Sequence, residues 1–217
     1  YLRKFKNVEQ QKNTEWFFYN GNLEKSYMDF QDFKKKEINQ AKQELDYQLR
    51  VEQDAAVNKT LAYMKTNPNG EFLWNAKPRF GKTLTTYDLA RKMEAINVLI
   101  VTNRPAIANS WFDDFEKFIA WQTTYRFVST SDSLKNRPVL TREEYLSQLT
   151  DDTRQIAFIS LQDLKGSLYF GGKHDKLKWV RELHWDLLVI DEAHEGVDTF
   201  KTDVAFNRIN RNFTLHL

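Results

Sequence analysis

Glu71-Phe72-Leu73-Trp74-Asn75-Ala76-Lys77-Pro78-Arg79-Phe80-Gly81-Lys82-Thr83 is the stretch on which the fold turns. Its first five residues predict a short buried strand, and Leu84 to Met93 carry helical spacing, so the order is strand, loop, helix. A helix N-terminus offers unpaired N–H groups and a partial positive charge, and a loop wrapped in front of it adds further N–H donors around a phosphate. In that arrangement Lys82 reaches the β- and γ-phosphates of a nucleotide, and the Thr83 hydroxyl holds Mg²⁺. The loop departs from the usual pattern, with Ala76 where the first glycine is expected, Pro78, Arg79 and Phe80 inside, and Gly81 as its one glycine. Pro78 removes one N–H donor and stiffens the loop, while Arg79 faces either the phosphates or solvent. The plain alternative is a lysine near a helix start.

A second stretch completes the pattern. Leu187-Leu188-Val189-Ile190 is a continuous apolar run followed by Asp191-Glu192-Ala193-His194. Such a run fits a strand covered on both faces, and carboxylates at its C-terminal end lie where open parallel sheets bind ligands. Asp191 then holds Mg²⁺ and Glu192 polarises an attacking water. An acidic pair after a strand is, taken alone, most often a solvated loop start. The joint occurrence with Ala76 to Thr83 gives it its meaning.

These residues resemble the first motor domain of superfamily 2 helicases and translocases of the DEAH-box type, most of all the motor subunits of ATP-dependent restriction enzymes. The resemblance covers Leu49 to Leu217. It implies an α/β, RecA-like P-loop NTPase domain: a mainly parallel sheet with helices on both faces, cut before its last motif and preceded by a mainly helical extension over residues 1–48. It also implies ATP and Mg²⁺ as cofactors. Leu49-Arg50-Val51-Glu52-Gln53 fits the family's adenine-reading element, with Gln53 on the adenine edge and Arg50 beside it. Ala76, Arg79, Gly81, Lys82 and Thr83 make up the phosphate side. His194 links the nucleotide site to a motif beyond Leu217. Val98 to Arg104, followed by Trp111 and Phe112, fits the segment that runs along a nucleic-acid backbone, so Asn103 and Arg104 are candidate phosphate contacts, joined by Ser160 and Gln162 after a later strand.

The partner implied is nucleic acid, double-stranded DNA first, together with a second motor domain and nuclease and specificity modules or subunits outside this stretch. The chain starts at Tyr1 without methionine and stops in the apolar strand around Phe213 to Leu217, which suggests a piece of a longer protein. In the family the second domain supplies an arginine finger, worth about 10³ to 10⁵ in turnover. The isolated piece is therefore expected to bind nucleotide but hydrolyse it slowly. A nucleotide-gated binding module that does not translocate, and a phosphotransferase on the same loop, are the alternatives. Glu192 beside Asp191 suits hydrolysis better than transfer to an alcohol.

Composition bounds the reading without deciding it. With 217 residues, 14% of them aromatic, the chain can build a large core. It has no cysteine and a net charge of +2, so thiolate metal sites are excluded and any nucleic-acid surface is a local patch. No apolar run approaches the roughly 18 residues of a membrane span, and an ATP-driven motor is expected in the cytoplasm. The four histidines, His174, His184, His194 and His216, show no metal-ligand spacing.

Glu15 to Tyr19 before Asn20-Gly21-Asn22 predicts a strand and turn, and Leu23 to Arg50 a charged helix with a solvated lysine run at Lys34-Lys35-Lys36. Glu52 to Thr66 predicts a second helix. Pro105 opens a helix whose Trp111, Phe112, Phe115 and Phe118 are at core spacing. Further strands are expected at Tyr125 to Ser129 and Gln155 to Ser160. Gly166 to Gly172 reads as a flexible surface excursion, and Lys173, Lys176, Lys178 and Arg181 as one basic helical segment.

Overall fold

Strands that are apolar along their whole length need cover on both faces, and parallel strands need crossovers that supply it. The computed structural model describes residues 8–10, 17–19, 47–191 and 200–217 and shows that arrangement. Six strands form one sheet: β3 (Glu71–Leu73), β4 (Asn97–Thr102), β5 (Tyr125–Ser129), β6 (Arg154–Ser160), β7 (Trp185–Asp191) and β8 (Arg211–His216). Their order is β3-β8-β7-β4-β6-β5, and every neighbouring pair is parallel. The expected sheet is thus wholly, not mainly, parallel.

The crossovers are α1 (Val51–Thr66), which leads into β3, then α2 (Lys82–Lys92), α3 (Ala108–Asp114), α4 (Arg142–Ser147), α5 (Leu161–Gly166), α6 (Lys178–Glu182) and α7 (Phe200–Asn207). Alternation along the strands separates two cores. Leu99 and Val101 of β4 join Leu164, Phe170, Val180 and Phe206 on one face. On the other, Trp111 of α3 meets Phe158 of β6, and Tyr63 of α1 meets Phe213 of β8. Trp111, Phe112 and Phe115 are buried as their spacing predicts, whereas Phe118 lies half-buried under the Lys117 ammonium.

Two elements carrying the candidate site are fastened by single side chains. The Trp74 indole donates to Thr60 Oγ1 at 2.8 Å, joining α1 to the end of β3. Lys92 at the end of α2 pairs with Asp54 of α1 at 2.8 Å.

Residues Tyr1–Tyr47 and Gln48–Leu217 form two separate compact units. In the first, β1 (Val8–Gln10) pairs antiparallel with β2 (Phe17–Tyr19), so the strand expected at Glu15 to Tyr19 has a partner that the periodicity did not reveal. The helix expected over Leu23 to Arg50 falls almost entirely outside the described residues, as does the lysine run; residues 47–50 are not helical.

The stretch after α5 corrects two expectations. Gly166 to Gly172 is a tightly bonded turn that buries Phe170, with Gly172 N–H donating to Ser167 O at 2.7 Å and His174 N–H to Gly166 O at 3.0 Å. A Cβ on Gly172 would lie 2.2 Å from the Gly166 carbonyl, so the glycine-rich composition serves close backbone approach. The basic residues beyond it do not share one helix, because α6 begins only at Lys178. Lys176 instead turns inward onto Asp163.

Candidate functional site

The loop after β3 is shaped by its unusual residues. Phe80 N–H donates to Lys77 O at 3.1 Å, with Pro78 second in the turn and Arg79 third at φ 66°. That is the signature of a type II turn, which welcomes proline at its second position and demands positive φ at its third. The N–H that Pro78 lacks is therefore not one the turn needs. Arg79 occupies a position that favours glycine, and its exposed guanidinium has no partner among the described residues.

Gly81 caps α2 in the left-handed region, at φ 85° and ψ 43°. A Cβ there would lie 2.6 Å from Gln53 Nε2, so two constraints select glycine. Lys82 and Thr83 follow in the first helical turn, half-buried, and neither side chain is engaged by a described residue. Thr85 and Thr86 turn their hydroxyls back onto Gly81 O and Lys82 O, both at 2.8 Å.

Gln53 and Arg50 clasp this loop. Gln53 is 5% exposed, and both ends of its amide are used: Oε1 accepts from Arg50 N–H at 2.8 Å and Nε2 donates to Phe80 O at 2.7 Å. The Arg50 guanidinium donates to Arg79 O at 3.1 Å and also to Phe80 O. A cleft of about 630 Å³ opens beside them, lined by Arg50, Ala56, Lys59, Trp74 and the loop through Phe80. The residues expected to read adenine and those expected to hold phosphate are thus one connected group.

Asp191 ends β7, next to β4 in the sheet and 6% exposed. Its Oδ2 accepts from the Trp111 indole N–H at 2.8 Å. Burial, with the nearby Asp114 charge, pushes the Tyr87 hydroxyl well above its ordinary pKa, so it remains a donor to Trp111 O at 2.7 Å. Glu192 and His194, the expected water-polarising and coupling residues, lie outside the described residues.

The sheet's register lines up the remaining candidates. Thr102, last in β4, pairs with Asp191 on one side and Ser160 on the other. Asn103 and Arg104 follow it, both exposed, and Arg104 N–H donates to Thr102 Oγ1 at 3.0 Å. Ser160 is 4% exposed and caps α5, accepting from Asp163 N–H at 3.0 Å and donating to Asp163 Oδ2 at 2.6 Å. Gln162 is exposed on a cleft of about 350 Å³ shared with Pro105, Asp132, His174 and Lys176. Partial burial raises the Asp163 carboxyl, but hydrogen bonds from Lys176 and Ser160 and the Lys176 charge outweigh it and hold the group below its ordinary pKa.

Trp111 and Asp163 were not singled out from the sequence as site residues. A signal existed for the first, since a tryptophan at a core position must find an acceptor for its N–H.

The six-stranded parallel sheet with its helices is the fold of RecA-like motor-domain cores. The fold matches the SWI2/SNF2 ATPase core of Sulfolobus solfataricus solved with double-stranded DNA, with a TM-score of 0.56 and 20% identity over 79% of this chain and 32% of that one. It matches equally the DNA-bound ATP-dependent type ISP restriction-modification enzyme LlaBIII, with a TM-score of 0.56 and 19% identity over 79% of this chain and 12% of that one. Residues 46–217 match the family model "Type III restriction enzyme, res subunit", and the chain belongs to that family. A relative in Mycoplasma pneumoniae (strain ATCC 29342 / M129 / Subtype 1), described as "Putative type II restriction enzyme and methyltransferase RM.MpnORF110P C-terminus", is 30% identical over 171 residues. That match spans 76% of this chain and 22% of the relative.

Proposed function

We propose that this chain is the first motor domain of a DNA-translocating ATPase in a restriction-type enzyme and that it binds MgATP between its phosphate loop and Asp191. One observation carries the reading. The loop follows β3 and Asp191 ends β7, with only β8 between them, on the edge where open α/β sheets take their ligands.

The residues suit their proposed tasks. Lys82 and the N–H groups at the start of α2 receive the phosphates, Arg79 adds positive charge, and Ala76 and Gly81 leave room for the backbone to approach. Gln53 and Arg50 read the adenine while touching the same loop. The Thr83 hydroxyl and Asp191 carboxylate are hard oxygen donors of the kind Mg²⁺ prefers, and a carboxylate buried as deeply as Asp191 gains from a nearby cation. When bound, Mg²⁺ neutralises charge developing on the transferred phosphoryl group. Glu192 polarises the attacking water, and His194 carries the state of the site to the rest of the motor.

Asn103, Arg104 and Gln162 contact the backbone of double-stranded DNA along the same edge, with Ser160 beside them. That two structural neighbours were solved with DNA supports this assignment. Residues 49–217 then form the motor domain and 1–48 an extension or the end of a preceding domain. A second motor domain with its arginine finger, and nuclease and specificity modules, complete a cytoplasmic enzyme; alone, this chain binds nucleotide and hydrolyses it slowly.

The test is DNA-stimulated ATP hydrolysis by the complete protein. Lys82→Ala and Glu192→Gln are each expected to abolish it, and undiminished turnover in both variants would overturn the assignment.

A further inference from the structure

Trp111 is 1% exposed within α3, and its indole does more than fill the core. Its N–H donates to Asp191 Oδ2 in a buried bond of 2.8 Å that joins the helix after β4 to the carboxylate ending β7. The ring is itself held from two sides: Tyr87 of α2 meets it edge-on with centroids 5.4 Å apart, and Phe158 of β6 lies at 6.4 Å. Tyr87 also bonds the Trp111 carbonyl, so the helix beginning at Lys82 and the helix carrying Trp111 are tied at this one residue. Packing alone does not call for an N–H at this position. The donor is the feature that needs a reason, and a charge-assisted bond to a buried carboxylate both strengthens the contact and restricts the carboxylate's rotation.

We propose that Trp111 is a positioning residue for Asp191: its indole N–H holds Oδ2 so that the carboxylate is already oriented when the Mg²⁺ of a nucleotide arrives. The inference rests on the reading of Asp191 as the metal-holding residue.

The experiment measures ADP binding to the 217-residue chain by calorimetry, once in EDTA and once in saturating Mg²⁺, and takes the ratio of the two dissociation constants. Trp111→Phe is expected to leave the EDTA value unchanged and to reduce the Mg²⁺-dependent gain about tenfold. Because Phe is smaller and leaves a gap in the cluster, replacement of Trp111 by its benzothienyl isostere, which keeps the volume and removes only the N–H, must give the same loss. Phe115→Leu, in the same aromatic group but without a bond to Asp191, lowers the melting temperature and leaves the ratio intact. On an Asp191→Asn background, Trp111→Phe adds nothing. If Asp191→Asn lowers the ratio while both Trp111 replacements preserve it, the positioning role is wrong and the site assignment stands. If Asp191→Asn leaves the ratio unchanged, the site assignment fails and takes this inference with it.

Discussion

Two residues of the candidate phosphate loop adopt left-handed backbone conformations, and only one of them is glycine. At Gly81 the positive φ and the 2.6 Å approach of Gln53 Nε2 to a would-be Cβ act together. Gly81→Ala is therefore expected to cost about 1–2 kcal/mol from backbone conformation alone, and to push Gln53 off the Phe80 carbonyl as well. Thermal denaturation checks this, and an unchanged melting temperature would show that neither constraint operates. Arg79 carries a similar conformational cost with no Gly-like relief, and Arg50 bonding its carbonyl helps hold it there. Residues kept in such conformations cluster where strain serves a site, which fits the exposed Arg79 guanidinium beside the expected phosphates.

Among the elements, the turn between α5 and α6 has an anchor that depends on charge. Lys176 reaches back to Asp163, which also receives Ser160 Oγ, the cap of α5. The folded-state pKa of Asp163 is depressed, so its contribution is fully present above the unfolded value of about 3.9 and is lost as pH falls through the folded value. Asp163→Asn should lower the melting temperature modestly at neutral pH, and the gap to the parent protein should close below about pH 4. A gap that stayed constant from pH 7 to pH 3 would contradict the ion-pair account. The helix α1 combines both kinds of anchor, the Lys92–Asp54 ion pair and the buried bond from Trp74 to Thr60, of which the second is insensitive to pH across this range.

At the scale of the whole molecule, Gln48–Leu217 carries the six-stranded sheet and a core on each of its faces. That unit, expressed alone, is expected to unfold in a single cooperative transition. A broad, probe-dependent transition would mean that its core is not self-sufficient. No described helix is long and apolar enough to cross a membrane. The motifs were legible because they obey local rules: an apolar run such as Leu187 to Ile190 predicts a buried strand, and a Gly-Lys-Thr triplet between strand and helix predicts a loop with N–H groups to offer. The short buried strand expected over Glu71 to Asn75 is a correction: β3 ends at Leu73 and lies at the edge of the sheet with Leu73 64% exposed, because the local pattern does not show which strand lacks an outer neighbour. Tyr125 to Ser129 was bounded correctly for the same reason. The reading of Gly166 to Gly172 as an excursion failed because glycine signals permission, and composition does not say whether the freedom is used for mobility or for close approach. Lys176 was assigned to a helix because spacing alone cannot show that Asp163 lies opposite it.

What the sequence by itself determined is the family, the order of strand, loop and helix, and the residue types able to meet phosphate and magnesium, since each depends on neighbours a few positions away. Only the tertiary structure decided that Gln53 and Arg50, expected to read adenine, also bond the phosphate loop, that Thr102 stands between Asp191 and Ser160, and that the Trp111 indole bonds Asp191. Those contacts join residues far apart in the chain: a parallel sheet brings the C-terminal ends of its strands into one row, whatever their distance in sequence, and the helices packed on it carry Gln53 and Trp111 to that row.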